Sequence, residues 1–157
     1  MSEQSFREIV TIDGRNITLN HENSPVAQRC VADSGDAILK LDVFDPAFRP
    51  ENYNRADGTP LRLFDAASVK IDLSKRSRED MNFWHRNVDF HEIIFCVQGA
   101  LRWETEIGTV ALKAGEMILI PRGISHRSML CEDSAPENVL VELKVGEDIK
   151  FTGGQLD

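Results

Sequence analysis

The sequence predicts an all-β chain folded as a sandwich or closed barrel. Three observations carry this expectation. Apolar and polar residues alternate over short runs, as in Val69-Lys70-Ile71-Asp72-Leu73, which is the period of a strand with one buried face. Turn-forming pairs such as Asp13-Gly14, Gln98-Gly99, Ile107-Gly108 and Ala114-Gly115 separate the runs, and each supplies a residue suited to a tight reversal. No segment sustains a helical period beyond about three turns. Many short strands at this spacing are the mark of a sandwich or barrel.

In chain order, residues 8–13 and 16–19 flank Asp13-Gly14 and predict a hairpin. Residues 26–32 and 37–44 read as two further strands, separated by Asp33-Ser34-Gly35-Asp36. Residues 45–60, with Pro46, Pro50, Gly58 and Pro60, predict a long loop across one end of the barrel. Residues 61–73 resume the strand pattern, and 75–80 read as a solvated charged turn. From Met81 onward the strands crowd together, over 83–87, 92–97, 100–105, 109–112, 117–120 and 139–145.

A chain of 157 residues fits one compact domain, taken here as 1–157, and is long enough to bury a core without disulfides. The balance of 18 basic and 26 acidic residues gives a net charge of −8 with no basic stripe, a poor match to nucleic acid or an anionic membrane. Cys30, Cys96 and Cys131 are odd in number and widely spaced, which argues against a disulfide framework or a zinc knuckle. Residues 1–5 lack a basic start and an apolar run, so no signal peptide is expected. No stretch is apolar enough to span a membrane, and a cytoplasmic location is expected.

Three of the four histidines, His85, His91 and His126, lie between residues 85 and 126. On a strand His85 and Asn87 would share a face, whereas His91 and Glu92 would point to opposite faces, so one of that pair faces inward. A metal site on a barrel draws its ligands from separate strands. Imidazoles suit zinc, copper, iron and nickel, and two imidazoles with one carboxylate suit non-haem iron(II). The candidate ligands are therefore His85, His126 and either His91 or Glu92.

Residues 84–127 resemble the cupin superfamily. The first cupin motif is matched by His85-Arg86-Asn87-Val88-Asp89-Phe90-His91-Glu92 with Gly99 closing it, and the second by Gly115, then Pro121-Arg122-Gly123-Ile124-Ser125-His126. The resemblance implies a double-stranded β-helix, or jelly-roll, barrel holding one divalent metal. Iron(II) is the first expectation, with zinc, nickel or manganese as alternatives. The chain departs from the motif at Asn87, where cupins carry a second histidine, and the spacing to Gly99 favours Glu92 over His91. His85-Arg86-Asn87, Glu104-Thr105-Glu106-Ile107-Gly108 and Ile120-Pro121-Arg122-Gly123 are similar to the homogentisate 1,2-dioxygenase branch, whose members are far longer. That similarity implies an O2-dependent dioxygenase acting on a small aromatic, hydroxy or keto acid. Arg122 and Arg127 bracket His126 and are candidate carboxylate binders, and Asn87 is a candidate hydrogen-bond partner for the substrate. The alternatives are a non-oxidative isomerase or lyase using the metal as a Lewis acid, or a small-molecule-binding cupin without turnover. A homodimer paired through edge strands is the default assembly.

Overall fold

A computed structural model describes residues 6–21, 30–32, 39–77 and 79–155. Asp13 and Gly14 take φ of 50° and 74°, the left-handed pair of a tight hairpin turn. The chain accordingly reverses between β1 (Phe6–Ile12) and β2 (Arg15–His21). β3 (Cys30–Ala32) adds antiparallel to β2. The expected strand 26–32 is described only over these three residues, and 26–29 lie outside the described residues. The expected strand 37–44 is corrected. Over 39–44 no strand forms and the chain turns at 43–44, where Asp42 Oδ1 captures the Phe44 amide at 3.0 Å and, just beyond, Asp45 Oδ1 captures the Ala47 amide at 2.9 Å. Such aspartate side chains offer the backbone an alternative to a ladder.

The chain divides into two compact units, residues 1–41 and 42–157. The barrel lies in the second. There, β4 (Leu61–Asp65), β5 (Val69–Arg76), β6 (His91–Gln98), β9 (Met117–Ile120) and β11 (Asn138–Val145) form a five-stranded antiparallel sheet in the order β4-β5-β11-β6-β9. β7 (Ala100–Thr105), β8 (Gly108–Lys113) and β10 (His126–Met129) form a three-stranded sheet in the order β10-β7-β8. The all-β expectation is met, and among the described residues there is no α-helix, only a 3₁₀ turn at Glu51–Tyr53. Among the described residues no helix is long and apolar enough to cross a membrane. The expected strand 83–87 is reduced to a single bridge at His85.

Alternation sets which residues face inward. Along β6, Glu92, Ile94 and Cys96 are buried while their neighbours are less so. Along β10 the buried pair is His126 and Ser128. Ile94 and Cys96 pack with Leu101, Trp103, Leu112, Ile120 and Leu140 into one apolar core. The two inward rows therefore run from this core directly to Glu92 and His126.

The solvated turn expected over 75–80 is corrected at its first two residues. Lys75 and Arg76 end β5 in the interior, each only 3% exposed. Lys75 Nζ donates to the Asp45 carbonyl at 2.9 Å. Arg76 donates to Ser128 Oγ and, at 2.8 Å, to the Glu79 carbonyl. A buried charge persists where such partners are supplied.

Asp72, on the same strand, is bound by Arg62 and by Lys144 Nζ at 2.7 Å. Burial alone would raise its carboxyl, but the Arg62 and Lys144 hydrogen bonds outweigh it and hold the group below its ordinary value of 3.8. A carboxyl depressed in the folded state adds stability above its unfolded value, and that stability is lost as pH falls through the folded value. Asp72→Asn is therefore expected to cost about 2 kcal/mol at neutral pH, the half-exposed Arg62 keeping the cost below that of a fully buried pair. The difference from the parent should shrink as pH falls below about 3.8. Urea denaturation of both proteins across that range checks it, and an undiminished difference in acid would contradict the assignment.

Candidate functional site

His85 and His126 are joined by a two-way backbone bridge, with the His85 amide donating to the His126 carbonyl at 3.1 Å and the reverse bond at 2.8 Å. The bridge places the two rings edge to face, centroids 4.4 Å apart. Glu92 reaches them from the opposite sheet, its Oε2 lying 3.1 Å from His126 Nε2. All three side chains line a cavity of about 430 Å³, within the range of small-molecule sites. Ile94, Trp103 and Leu140 supply apolar wall, and the 45–60 loop contributes Asn52, Thr59 and Pro60.

The hydrogen bonding identifies which atoms are free. His126 Nδ1 lies 2.9 Å from the Ile124 carbonyl. A carbonyl only accepts, so Nδ1 carries a proton and Nε2 is the nitrogen left facing Glu92. The approach of Nε2 to Oε2 lacks hydrogen-bond alignment. Glu92 Oε2 and His85 Nδ1 are thus buried polar atoms without a hydrogen-bond partner among the described residues. Buried acceptors left in this state are costly. Burial would lower His126, but the Glu92 carboxylate and the Ile124 carbonyl raise it. Burial would raise Glu92, but His126 pulls it down. His85 is lowered, first by burial and then by the charge of His126. The place between Glu92 and His126 therefore favours a cation, either a proton or a metal.

Two imidazoles and one carboxylate, with His126 and Glu92 buried, His85 half-buried and donor atoms unspent, fit a divalent transition metal in kind. No three His, Cys, Asp or Glu side chains among the described residues are already gathered as a coordination shell. The side chains that would hold such a metal are His85, Glu92 and His126.

The other expected site residues fall elsewhere. His91 lies on the face of β6 opposite to Glu92, and its Nδ1 accepts the Arg122 amide at 3.2 Å. Asn87 lines the cavity, but its Oδ1 accepts the Asp89 and Phe90 amides at 3.2 and 3.1 Å, so it shapes the turn before β6. Arg122 is exposed and bonds the Gly146 carbonyl and Asp148. Arg127 alternates with His126, pairs with Glu104 at 2.8 Å and covers the Trp84 ring. Neither arginine lines the cavity. The cations that do line it include Arg76 and Lys144. The sequence carried a faint signal for them, because each extends the alternation of its strand by one period.

Residues 69–128 match the family model described as AraC-like ligand binding domain. A solved structure from Methanocaldococcus jannaschii, an RmlC-like cupin family protein with a double-stranded β-helix fold, superposes with a TM-score of 0.53 at 12% identity, covering 71% of this chain and 91% of that one. The barrel has the cupin fold. A second superposition, onto a putative mannose-6-phosphate isomerase from Ralstonia eutropha, has a TM-score of 0.57 at 17% identity, covering 70% of this chain and all of that one. Among curated proteins, the "Putative dioxygenase SSO1533" of Saccharolobus solfataricus is 28% identical over 89 residues, which is 55% of this chain. The match spans 23% of that relative's length.

Proposed function

We propose that this cupin is a metal-dependent oxygenase, with His85, Glu92 and His126 holding one divalent metal, iron(II) first. The observation that carries the reading is the convergence of two imidazoles and a carboxylate, with unspent buried donor atoms, on the wall of a small cavity. Bound there, such a metal supplies a redox-capable Lewis-acidic centre with open positions for a substrate and O2. The protein supplies the rest. The Ile124 carbonyl fixes the tautomer and orientation of His126, as partners of metal-bound imidazoles do. Ile94, Trp103 and Leu140 exclude water from one side, which strengthens every charge interaction inside.

The dioxygenase name of the Saccharolobus solfataricus relative supports the reaction class. The similarity of 85–87, 104–108 and 120–123 to the homogentisate 1,2-dioxygenase branch supports it as well, and the substrate is not carried over with it. The proposal includes a small-molecule substrate, no nucleic-acid or membrane partner, a cytoplasmic location, and a homodimer. A second reading, ligand binding without turnover, draws on the match to an AraC-like ligand binding domain. A non-oxidative isomerase or lyase would use the same three ligands.

Two variants test the ligand set. Glu92→Ala should weaken metal binding by about 100-fold or more, above the ~10- to 100-fold cost of disturbing a ligand's own support. His91→Ala should leave stoichiometry intact, since its ring points away. Metal titration of both variants decides, and the reverse pattern would move the third ligand to His91. An oxygen-electrode screen of hydroxylated aromatic and keto acids then separates turnover with O2 from the two other readings.

A further inference from the structure

Arg76 is 3% exposed and lines the same cavity as the three candidate ligands. Its hydrogen bonds go to Ser128 Oγ and the Glu79 carbonyl, both neutral acceptors. No carboxylate among the described residues lies within salt-bridge distance of its guanidinium. A buried guanidinium without an ion pair is rare, and here Glu142, Glu79 and Asp80 act on it only through charge at longer range. Three other cations near the site are ion-paired. Lys144 is paired with Asp72 at 2.7 Å, Arg127 with Glu104, and Arg122 with Asp148. A guanidinium has five N–H donors in a planar fork, and the two bonds to neutral oxygens leave part of that fork for a ligand.

Its position relative to the candidate ligands is set by β10. Ser128, which anchors Arg76, and His126 lie on the same inward face, two residues apart, about 7 Å along a strand. A ligand anchored at Arg76 would therefore present its far end to His85, Glu92 and His126.

We propose that Arg76 is the anion subsite of this cavity and that the substrate is a small carboxylic acid, its carboxylate on Arg76 and its reacting end one small ring or short carbon chain away. Which end reacts rests on the proposed function; the anion subsite does not. A carboxylate is favoured over a phosphate because the cavity also holds Asp89, Glu92 and Glu142, which repel a dianion more strongly than a monoanion.

Calorimetric titration with formate, pyruvate and benzoate, each against its neutral amide, tests this directly on the full chain, as purified and after chelator treatment. In both preparations at least one acid should bind on the order of tenfold more tightly than its amide, and inorganic phosphate should bind more weakly than that acid. Arg76→Gln should abolish the preference. If that variant does not fold, Arg76→Lys takes its place, and its preference should fall severalfold because lysine offers a point charge and no fork. No acid preference, a preference for phosphate, or an acid preference unchanged in the variant would overturn the proposal. An acid preference in a chain that binds no metal would overturn the metal reading alone, whereas stoichiometric metal with no acid preference would overturn the anion subsite alone.

Discussion

His126→Ala should abolish metal binding by the barrel and any O2-dependent turnover while leaving it folded. His126 is 3% exposed, and its Nε2 is the atom that faces Glu92. Alanine removes one of three donors and the partner that holds the Glu92 carboxylate down. Disturbing a ligand's support costs about 10- to 100-fold in metal affinity, so losing the ligand should cost more. The cost in stability is smaller. The Ile124 carbonyl loses its side-chain donor, roughly 1–2 kcal/mol where no water replaces it, against the ~5–15 kcal/mol of a typical domain. Metal titration with a thermal melt reads both quantities. A folded variant that keeps stoichiometric metal would remove His126 from the site.

The largest loss of stability should come from Asn138→Ala. Asn138 is fully buried at the start of β11. Its Oδ1 accepts the Ala100 and Ala135 amides at 3.0 and 2.9 Å, and its Nδ2 donates to the Arg76 and Ala135 carbonyls at 3.1 and 2.9 Å. Alanine strands these buried backbone groups together, at about 4 kcal/mol in all. Gly99 belongs to the same knot. It has φ of 78°, and a Cβ there would lie 2.1 Å from Asn138 Oδ1, so Gly99→Ala should also destabilise. Because the two residues share these contacts, the double variant should lose less than the sum of the singles. Urea denaturation of the three variants checks this, and strict additivity would contradict the coupling.

These two residues also mark how far the sequence could be read. Gly99 was legible as a turn, because the pair Gln98-Gly99 sits between two apolar runs. Asn138 was not, because its role depends on groups at 76, 100 and 135 that meet only in the fold. The hairpin at Asp13-Gly14 and strands β5 to β9 follow from alternation and turn chemistry, which are local. The expected strand over 37–44 failed over its described part because Asp42 and Asp45 hold nearby amides, a competition that alternation does not register.

For the site, alternation on β6 separated His91 from Glu92 in principle, but only the register with β9 and β11 shows that Glu92 faces in. The arginines are the clearest case. Arg122 and Arg127 drew attention by flanking His126 in sequence, yet a strand turns immediate neighbours to the opposite face. Arg76 lies far from His126 in sequence, in a charged stretch that reads as a solvated turn. Its link to the site runs through Ser128, two residues beyond His126 on the same face.

Elemental analysis of the purified chain, produced with iron in the medium and without chelators, tests the central claim most directly. About one equivalent of iron per chain in the parent, and little or none in His126→Ala, is the predicted result. A parent protein that holds no transition metal, even after titration with iron(II), zinc, nickel and manganese, would contradict it.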